Sequence, residues 1–142
     1  MRISTRGRYA LRMLIDLAEH QKEGYVSLHD IARRQDISKK YLEQIVPLLN
    51  REGILKTNRG FQGGYMLAQP PEKYTVGDIL RLTEGSLAPT DRPDGEDASG
   101  GEYVLFPIWQ ELDRIINSYL DSITLRDILE RLRERYANDY VI

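Results

Sequence analysis

A chain of 142 residues, 41% hydrophobic and 30% charged, has the composition of an ordinary globular protein and not of a disordered or membrane-embedded one. It contains no cysteine, which excludes disulfides, thiolate nucleophiles and cysteine-ligated metal centres. Its net charge of −2 conceals a basic N-terminal part, with 12 Lys and Arg against 7 Asp and Glu in residues 1–65, and an acidic remainder with 8 against 15. This asymmetry favours a local site for a polyanion.

No apolar run reaches the roughly 18 residues that a membrane span requires. The first residues, Met1–Arg6, lead into a charged amphipathic stretch without the apolar core of a signal peptide, so we expect a cytoplasmic protein without membrane attachment. His20 and His29 each stand alone in a helical stretch, and we interpret them as solvated residues, not metal ligands. The sequence contains no GxSxG, phosphate-loop, dinucleotide or HExxH motif, which argues against an enzyme.

The N-terminal part of the chain predicts two consecutive helices. Apolar residues at three- and four-residue spacing predict the first over residues 5–21, with Ser4 or Thr5 as its cap. Ser27, followed three residues later by Asp30, forms a capping-box pattern that predicts a short second helix over residues 28–35.

A third helix is predicted from a cap at Ser38 to about residue 52, with Gly53 just beyond its end. Pro47 lies inside this helix, where a proline removes one backbone hydrogen bond and costs about 3 kcal/mol. We therefore expect a bend or a change of helix geometry at Pro47. The half before the proline would project outward while the half after it packs.

Two short β-branched and aliphatic runs, residues 54–57 and 65–68, flank a glycine-rich segment and predict a β-hairpin. Thr75 begins a further capping box, which predicts a fourth helix ending near residues 84–85. Helix, helix-turn-helix and hairpin in this order make a winged helix-turn-helix, whose third helix enters the major groove of DNA. We therefore expect a mainly α-helical fold with a small β-hairpin wing, and a DNA-binding domain over residues 1–85.

The exposed face of the third helix carries side-chain types that read DNA. Ser and Lys suit phosphate contacts, Gln pairs with adenine, and Glu accepts from the amino group of cytosine. At the hairpin tip, Arg59 lies on a glycine-flanked turn narrow enough to approach a minor groove. A solvated surface is the alternative for each element, and their combination favours DNA binding. The predicted DNA-binding residues are Ser38, Lys39, Lys40, Glu43, Gln44, Asn58, Arg59, Gly60, Arg2 and Thr5.

Residues 86–102 are polar, acidic and rich in Pro, Gly and Ser, and they predict a flexible loop. Beyond the loop, apolar residues alternate spacings of four and three, as in a coiled-coil seam. Because a domain of this size has little core to cover such a stripe, we expect residues 103–136 to form helices that hold a homodimer on a palindromic operator. Residues 137–142 are predicted as a loose tail. The predicted interface residues are Leu105, Trp109, Leu112, Ile116, Tyr119 and Ile123.

Three classes of function remain to be weighed. A DNA-binding repressor that answers to a protein or metabolite effector is favoured. A small hydrolase built on a carboxylate pair lacks a recognisable nucleophile and base. An interaction module that binds protein or RNA would lack sequence-specific DNA binding with a steep salt dependence.

Several segments resemble the Rrf2 family of bacterial winged-helix regulators. The resemblance is carried by residues 3–10 (ISTRGRYA), 37–44 (ISKKYLEQ) and 59–67 (RGFQGGYML), and also by 76–80 (VGDIL) and Glu84–Gly85. It implies a homodimer held by the long helix after the loop, DNA recognition by residues 38–44, and insertion of Arg59 into the minor groove.

Cluster-binding members of that family place three cysteines in the loop that corresponds to residues 86–102, and this chain has none. We therefore expect no iron–sulfur cluster and no other cofactor. The acidic residues of the loop follow no calcium-loop pattern, so we expect a solvated loop without a metal. Those residues are Asp91, Asp94, Glu96, Asp97 and Glu102.

Within the family, the chain most resembles the branch that represses cysteine metabolism, through residues 84–89, residues 120–125 and an end in Tyr-x-Ile. This resemblance implies repression of genes for sulfur-compound uptake and cysteine synthesis, in complex with cysteine synthase (O-acetylserine thiol-lyase). Tyr140, Val141 and Ile142 resemble the C-terminal isoleucine that partners insert into the synthase active site, where backbone donors capture a carboxylate. A frayed terminus is the alternative, as is a cluster-free regulator with a different effector.

Overall fold

A computed structural model describes residues 2–61, 63–93 and 100–140. The helices are α1 (Thr5–His20), α2 (Leu28–Gln35), α3 (Lys39–Arg51), α4 (Val76–Glu84), α5 (Gly101–Asp121) and α6 (Leu125–Tyr140). An antiparallel hairpin of β1 (Leu55–Asn58) and β2 (Gly64–Leu67) separates α3 from α4, and its register pairs Leu55 with Leu67 and Asn58 with Gly64. Short 3₁₀ turns cover Gln21–Glu23 and Pro71–Lys73. Among the described residues, no helix has the length and hydropathy to cross a membrane.

Local capping rules set the helix starts that the sequence predicted. Ser4, and not Thr5, caps α1, because its Oγ accepts from the Gly7 N–H at 3.0 Å. Thr75 begins α4 with the full reciprocal box, in which Asp78 accepts from the Thr75 N–H at 3.1 Å. At α2 the Ser27 Oγ accepts from the Asp30 N–H at 3.1 Å. These caps fix the angle at which the chain enters each helix.

The same device begins α6. The Thr124 Oγ1 accepts from the Asp127 N–H at 3.1 Å, and Asp127 accepts from the Thr124 N–H at 2.9 Å. That backbone hydrogen bond lowers the pKa of Asp127 below its ordinary value. Thr124 also pairs with Thr75 in an isolated β-bridge, so the starts of α4 and α6 are tied together.

The hydrophobic core surrounds α1, whose fully buried face packs against apolar residues of α2, α3, α4 and α6. Those core residues are Ala10, Met13, Leu14, Leu17, Ile31, Leu42, Ile45, Leu49, Ile79, Leu125 and Leu129. Burial of large aliphatic side chains of this kind stabilises a fold by about 1.5 to 3 kcal/mol per side chain.

Pro47 does not separate α3 into a packed and a projecting half. The helix is continuous from Lys39 to Arg51, and Pro47 itself is exposed. Leu42 and Ile45 before the proline are as fully buried as Leu49 after it. The prediction that the first half projects outward is therefore wrong, because apolar residues at helical spacing hold one face of both halves against α1.

The C-terminal segment is more ordered than a loose tail. The last helix, α6, continues to Tyr140, so the prediction of a tail over residues 137–142 is wrong for residues 137–140. Val141 and Ile142 lie outside the described residues. Leu125 and Leu129 of α6 belong to the core around α1, so this helix packs with the elements of residues 1–85.

A buried ion pair ties α1 to the end of α2. Asp16 is 0% exposed, yet no buried polar side-chain atom of the described residues lacks a hydrogen-bond partner. Arg34 donates to both carboxylate oxygens, at 2.7 and 3.0 Å, and the Gln35 amide donates at 3.0 Å. The hydrogen bond to Asp16 raises the pKa of Arg34. A buried carboxylate is tolerated only when it is paired in this way.

We expect Asp16→Asn to lower the free energy of unfolding by about 2 to 3 kcal/mol, because it leaves the Arg34 guanidinium without its bidentate partner. The loss stays below that of a fully buried pair, because 28% of the Arg34 side chain is exposed and can be rehydrated. Urea unfolding measures the change. Asp30→Asn is the matched control: it breaks only the exposed pair with Arg33, at 3.6 Å, and should cost less than about 1 kcal/mol. Equal losses for the two variants would contradict the assigned role of Asp16.

Candidate DNA-binding surface

The first turns of α3 present a polar face to solvent. Ser38 caps the helix by accepting from the Tyr41 N–H at 3.1 Å. Leu42 and Ile45 turn into the core, so the side chains between and before them point outward. Lys39, Lys40, Glu43 and Gln44 are all exposed, as is Ser38, which agrees with the predicted reading face.

The cations of this face and of the hairpin are free of internal partners. Among the described residues, Lys39, Lys40, Lys56 and Arg59 have no carboxylate within 4.0 Å. In the acidic remainder of the chain, by contrast, arginines such as Arg81 are paired, in this case with Asp121 at 2.5 Å. The N-terminal part therefore offers positive charge to a partner, while part of the C-terminal charge is neutralised within the protein.

A chain of contacts joins the buried pair at Asp16 to the first turn of α3. Arg12 of α1 donates to the side chain of Gln35 at 3.3 Å and to its backbone carbonyl. The Arg12 guanidinium lies over the ring of Tyr9, 5.1 Å from its centroid. Tyr9 meets Tyr41 edge to face, with centroids 5.3 Å apart. The sequence did not predict these contacts, because no local motif marks contacts between α1, α2 and α3. They orient the reading face.

The turn between α2 and α3 is tight. Asp36, the C-cap of α2, has φ of 53°, the left-handed conformation that a residue with a Cβ seldom adopts. The Asp36 N–H donates to the Ala32 carbonyl, and Ile37 is buried directly after it. The turn therefore places Ser38 at a fixed angle to α2.

The base of the wing is fixed by a close approach of two backbone segments. The bounds of its two strands each differ by one residue from the predicted ones. Val26 and Tyr65 exchange backbone hydrogen bonds at 2.9 and 2.8 Å. At neighbouring Gly64, a Cβ would collide with the Val26 carbonyl oxygen, so only glycine fits. On the other strand, Thr57 donates to the Asn50 side chain of α3 at 3.5 Å. The hairpin is thus anchored to both α3 and the segment before α2.

The described tip is fully presented to solvent. Asn58, Arg59 and Gly60 are exposed, and Gly60 has φ of 118°, which a side chain would strain. Phe61 is 95% exposed. An exposed guanidinium followed closely by an exposed ring at the end of a narrow hairpin suits insertion into a DNA groove.

The N-terminus is pinned beside α1. Glu84 accepts from the Ser4 N–H at 2.9 Å and from the Ser4 hydroxyl at 2.6 Å, and Arg6 donates to the Thr83 carbonyl at 2.7 Å. The predicted DNA contacts Arg2 and Thr5 are exposed, and the Thr5 hydroxyl already accepts from Arg8 at 3.0 Å. Glu84, one of the residues that carry the family resemblance, therefore holds the N-terminal segment in place.

A second surface of interest is an apolar face of α5. Its side chains are exposed along the helix, at spacings of three and four residues. A shallow apolar groove of about 530 Å³ lies on this face beside Pro107 and Glu111. The exposed apolar residues are Leu105, Ile108, Leu112, Ile115 and Tyr119.

The exposed face of α5 includes only some of the residues predicted for the dimer interface. Ile116 and Ile123 pack on the small buried cluster of Val76, Leu80 and Leu87, so they face the chain itself. Ile123 lies beyond the end of α5, and Trp109 is half-buried next to the segment that carries Pro89. Of the predicted interface residues, Leu105, Leu112 and Tyr119 lie on the exposed face, whereas Trp109, Ile116 and Ile123 are half-buried within the single chain, and their part in a dimer stays a prediction.

The described residues offer no constellation for a metal. No group of three or more His, Asp or Glu side chains there is arranged to hold one. His20 bonds to the Asp16 carbonyl at 2.9 Å on α1, and His29 lies exposed on α2. The acidic loop residues Asp94, Glu96 and Asp97 lie outside the described residues, as do Val141 and Ile142 and the side chain of Tyr140.

The chain is similar over most of its length to known transcription regulators. A family model described as Rrf2, iron-dependent transcriptional regulator, matches residues 3–131. The HTH-type transcriptional regulator CymR of Bacillus subtilis is 39% identical over 128 residues, which are 90% of this chain and 89% of that protein. IscR of Yersinia enterocolitica is 36% identical over 146 residues, covering 98% of this chain and 88% of that protein.

Solved structures similar to this chain belong to the same regulators. CymR, described as the global cysteine regulator of B. subtilis, superposes with a TM-score of 0.80 at 37% identity, covering 92% of this chain and 98% of that one. IscR of T. potens superposes with a TM-score of 0.78 at 41% identity, covering 95% and 90%. The predicted winged-helix fold is confirmed.

Proposed function

Because the chain belongs to the Rrf2 family of DNA-binding transcriptional regulators and is not an enzyme, we propose that it represses genes of sulfur and cysteine metabolism as a homodimer on operator DNA. The observation that carries DNA reading by α3 is its polar face, where Lys39 and Lys40 lie exposed and no carboxylate of the described residues is within 4.0 Å of them. In this proposal Ser38 and the lysines hold phosphates, while Glu43 and Gln44 reach base edges in the major groove. Its place of action is the cytoplasm, where such operators lie.

The wing completes the proposed interface. Arg59, with Asn58 and Gly60 beside it, enters the minor groove next to each half-site, and Arg2 and Thr5 contact the backbone near the start of α1. These contacts carry little base information, so they set affinity and register more than sequence preference.

We expect Lys39→Ala to weaken operator binding and to reduce the slope of log affinity against log salt by about one, because one phosphate contact is lost. Arg59→Ala should weaken binding as well and relax preference in the base pairs flanking each half-site. The operator is first recovered by selection from a random duplex pool, and affinities are then measured by gel retardation at several salt concentrations.

Arg114→Ala is the control for charge, since it removes an exposed arginine of α5 that pairs with Glu111 at 2.5 Å. Its operator affinity and salt slope should match the wild type. Wild-type slopes in the α3 and wing variants would argue against this interface. If no duplex sequence is enriched, the chain would instead be an interaction module for protein or RNA.

The exposed apolar face of α5 supports the homodimer. With 21 residues the helix is about 30 Å long, so two copies can pair along a continuous stripe. Large apolar side chains in such a row are uncommon on a monomer surface. A two-fold pair presents two α3 reading faces about one turn of DNA apart and matches a palindromic operator.

We expect Ile108→Glu to give monomers in analytical ultracentrifugation, because two buried carboxylates would face each other across the seam. Ile108 is 56% exposed in a single chain, so the fold itself should survive, with an unchanged circular dichroism spectrum. Gln110→Glu introduces the same charge on the same helix away from the stripe and should remain dimeric. A dimeric Ile108→Glu variant would rule out this face as the interface.

We also propose that the regulator works without an iron–sulfur cluster, although its family is described as iron-dependent. The donor set does not fit a cluster: the whole chain contains no cysteine, and clusters are held by cysteine thiolates. Its signal must therefore reach it through another molecule.

Cysteine synthase is the effector we propose, on the basis of similarity to CymR, which is described as a cysteine regulator, and of the C-terminal sequence Tyr140–Ile142. In this proposal the terminal carboxylate of Ile142 enters the synthase active site and is captured by backbone donors. O-acetylserine competes for that site and releases the regulator. A cluster-free regulator with another effector is the alternative.

Removal of Ile142 should abolish co-purification with cysteine synthase while leaving the dimer intact, because the new terminus lacks the anchoring side chain. The measurement is a pull-down with purified synthase, with and without O-acetylserine, and the dimer is checked by ultracentrifugation. Ala137→Ser, a small change on the preceding helix turn, serves as the control and should retain binding. Full association after truncation would contradict the tail model.

A further inference from the structure

Three cationic side chains converge on one pocket that lies apart from both α3 and the α5 face. Lys22 comes from the 3₁₀ turn after α1, while Arg126 and Arg133 come from α6. Leu129 lies three residues after Arg126 and four before Arg133, so all three side chains share one face of the helix. The pocket has a volume of about 240 Å³. We call it the cationic pocket.

The cationic pocket keeps a net positive charge. Among the described residues, Lys22 and Arg133 have no carboxylate within 4.0 Å. Arg126 is 3.6 Å from Glu72, and both side chains are nearly half exposed, so this pair can rearrange at little cost. Three cations against one carboxylate leave a charge of two positive.

The lining of the pocket determines what it can hold. Two guanidinium groups donate in fixed forks that match carboxylate, phosphate or sulfate oxygens, and Lys22 adds a point charge. Ala18 and Leu129 are buried and form an apolar floor. We propose that the cationic pocket binds a small dianionic metabolite, with its oxygens on Arg126 and Arg133 and its carbon part on the floor.

A hydrogen bond connects the cationic pocket to the wing. Gln21, which lines the pocket, accepts at its Oε1 from the Leu67 N–H of β2 at 3.1 Å. Pro71, which also lines the pocket, begins the turn that follows β2. An anion held by Arg126 and Arg133 beside Lys22 therefore acts on the end of β2 and on the turn that follows it. This regulatory step rests on the proposed DNA-binding function, and it makes anion binding change operator affinity.

The first experiment tests the pocket without DNA. Thermal unfolding is followed in sodium sulfate, sodium succinate and sodium chloride at equal ionic strength, with the wild type and the variants Arg133→Ala, Lys22→Ala and Arg135→Ala. Arg135→Ala removes an exposed arginine of the same helix that does not line the pocket, so it controls for net charge and for the general stabilising effect of sulfate.

We expect a dianion to raise the melting temperature of the wild type and Arg135→Ala equally, with at least about tenfold weaker apparent binding for the two pocket variants. Sulfate acting more strongly than succinate identifies a tetrahedral oxyanion as the ligand class, and the reverse identifies a dicarboxylate. Equal rises in all four proteins overturn the proposal.

The second experiment tests regulation. The stronger dianion should change operator affinity of the wild type and Arg135→Ala by about fivefold or more, and of Arg133→Ala only as much as chloride does. Anion binding without this difference overturns the regulatory step. If the wild type retards no DNA at all, the proposed function and the regulatory step both fail, while the first experiment still decides whether the pocket binds dianions.

Discussion

The geometry of the reading surface depends on a carboxylate buried in the first helix. Asp16 has no access to water, so it persists only because Arg34 and Gln35 satisfy both of its oxygens. That requirement fixes the end of α2 against α1. The left-handed Asp36 then turns the chain immediately into α3. The angle between α2 and α3 therefore depends on the hydrogen bonds that satisfy the buried charge of Asp16.

The same constraint reaches a pair of tyrosines, one on α1 and one on α3. Arg12 shares Gln35 with the buried pair and stacks on Tyr9, which supports Tyr41 in the first turn of α3. Each contact is modest alone, worth about 1 kcal/mol. Their sum keeps the lysines of α3 on a preorganised base, so little conformational freedom has to be lost on binding.

Many of the helix starts could be predicted from the sequence, because capping depends on residues close together in the chain. Caps such as Ser38 and Thr75 act within one turn, and the starts of α3 and α4 follow from them. Long-range contacts were not readable in that way. Asp16 looks like an ordinary exposed acid in a linear pattern, since only the folded chain brings Arg34 to it. The same holds for the stripe of α5, because α4 and Leu87 decide which of its edges packs against the chain itself.

The proline in α3 lies where its missing hydrogen bond costs least. Pro47 has no N–H, so the carbonyl of Glu43 lacks the donor that normally ties the first turns of a helix to the later ones. Both residues face solvent, while Leu42 and Ile45 hold the opposite side of the helix in the core. Water can therefore satisfy the Glu43 carbonyl, and the proline interrupts only the hydrated side of the helix.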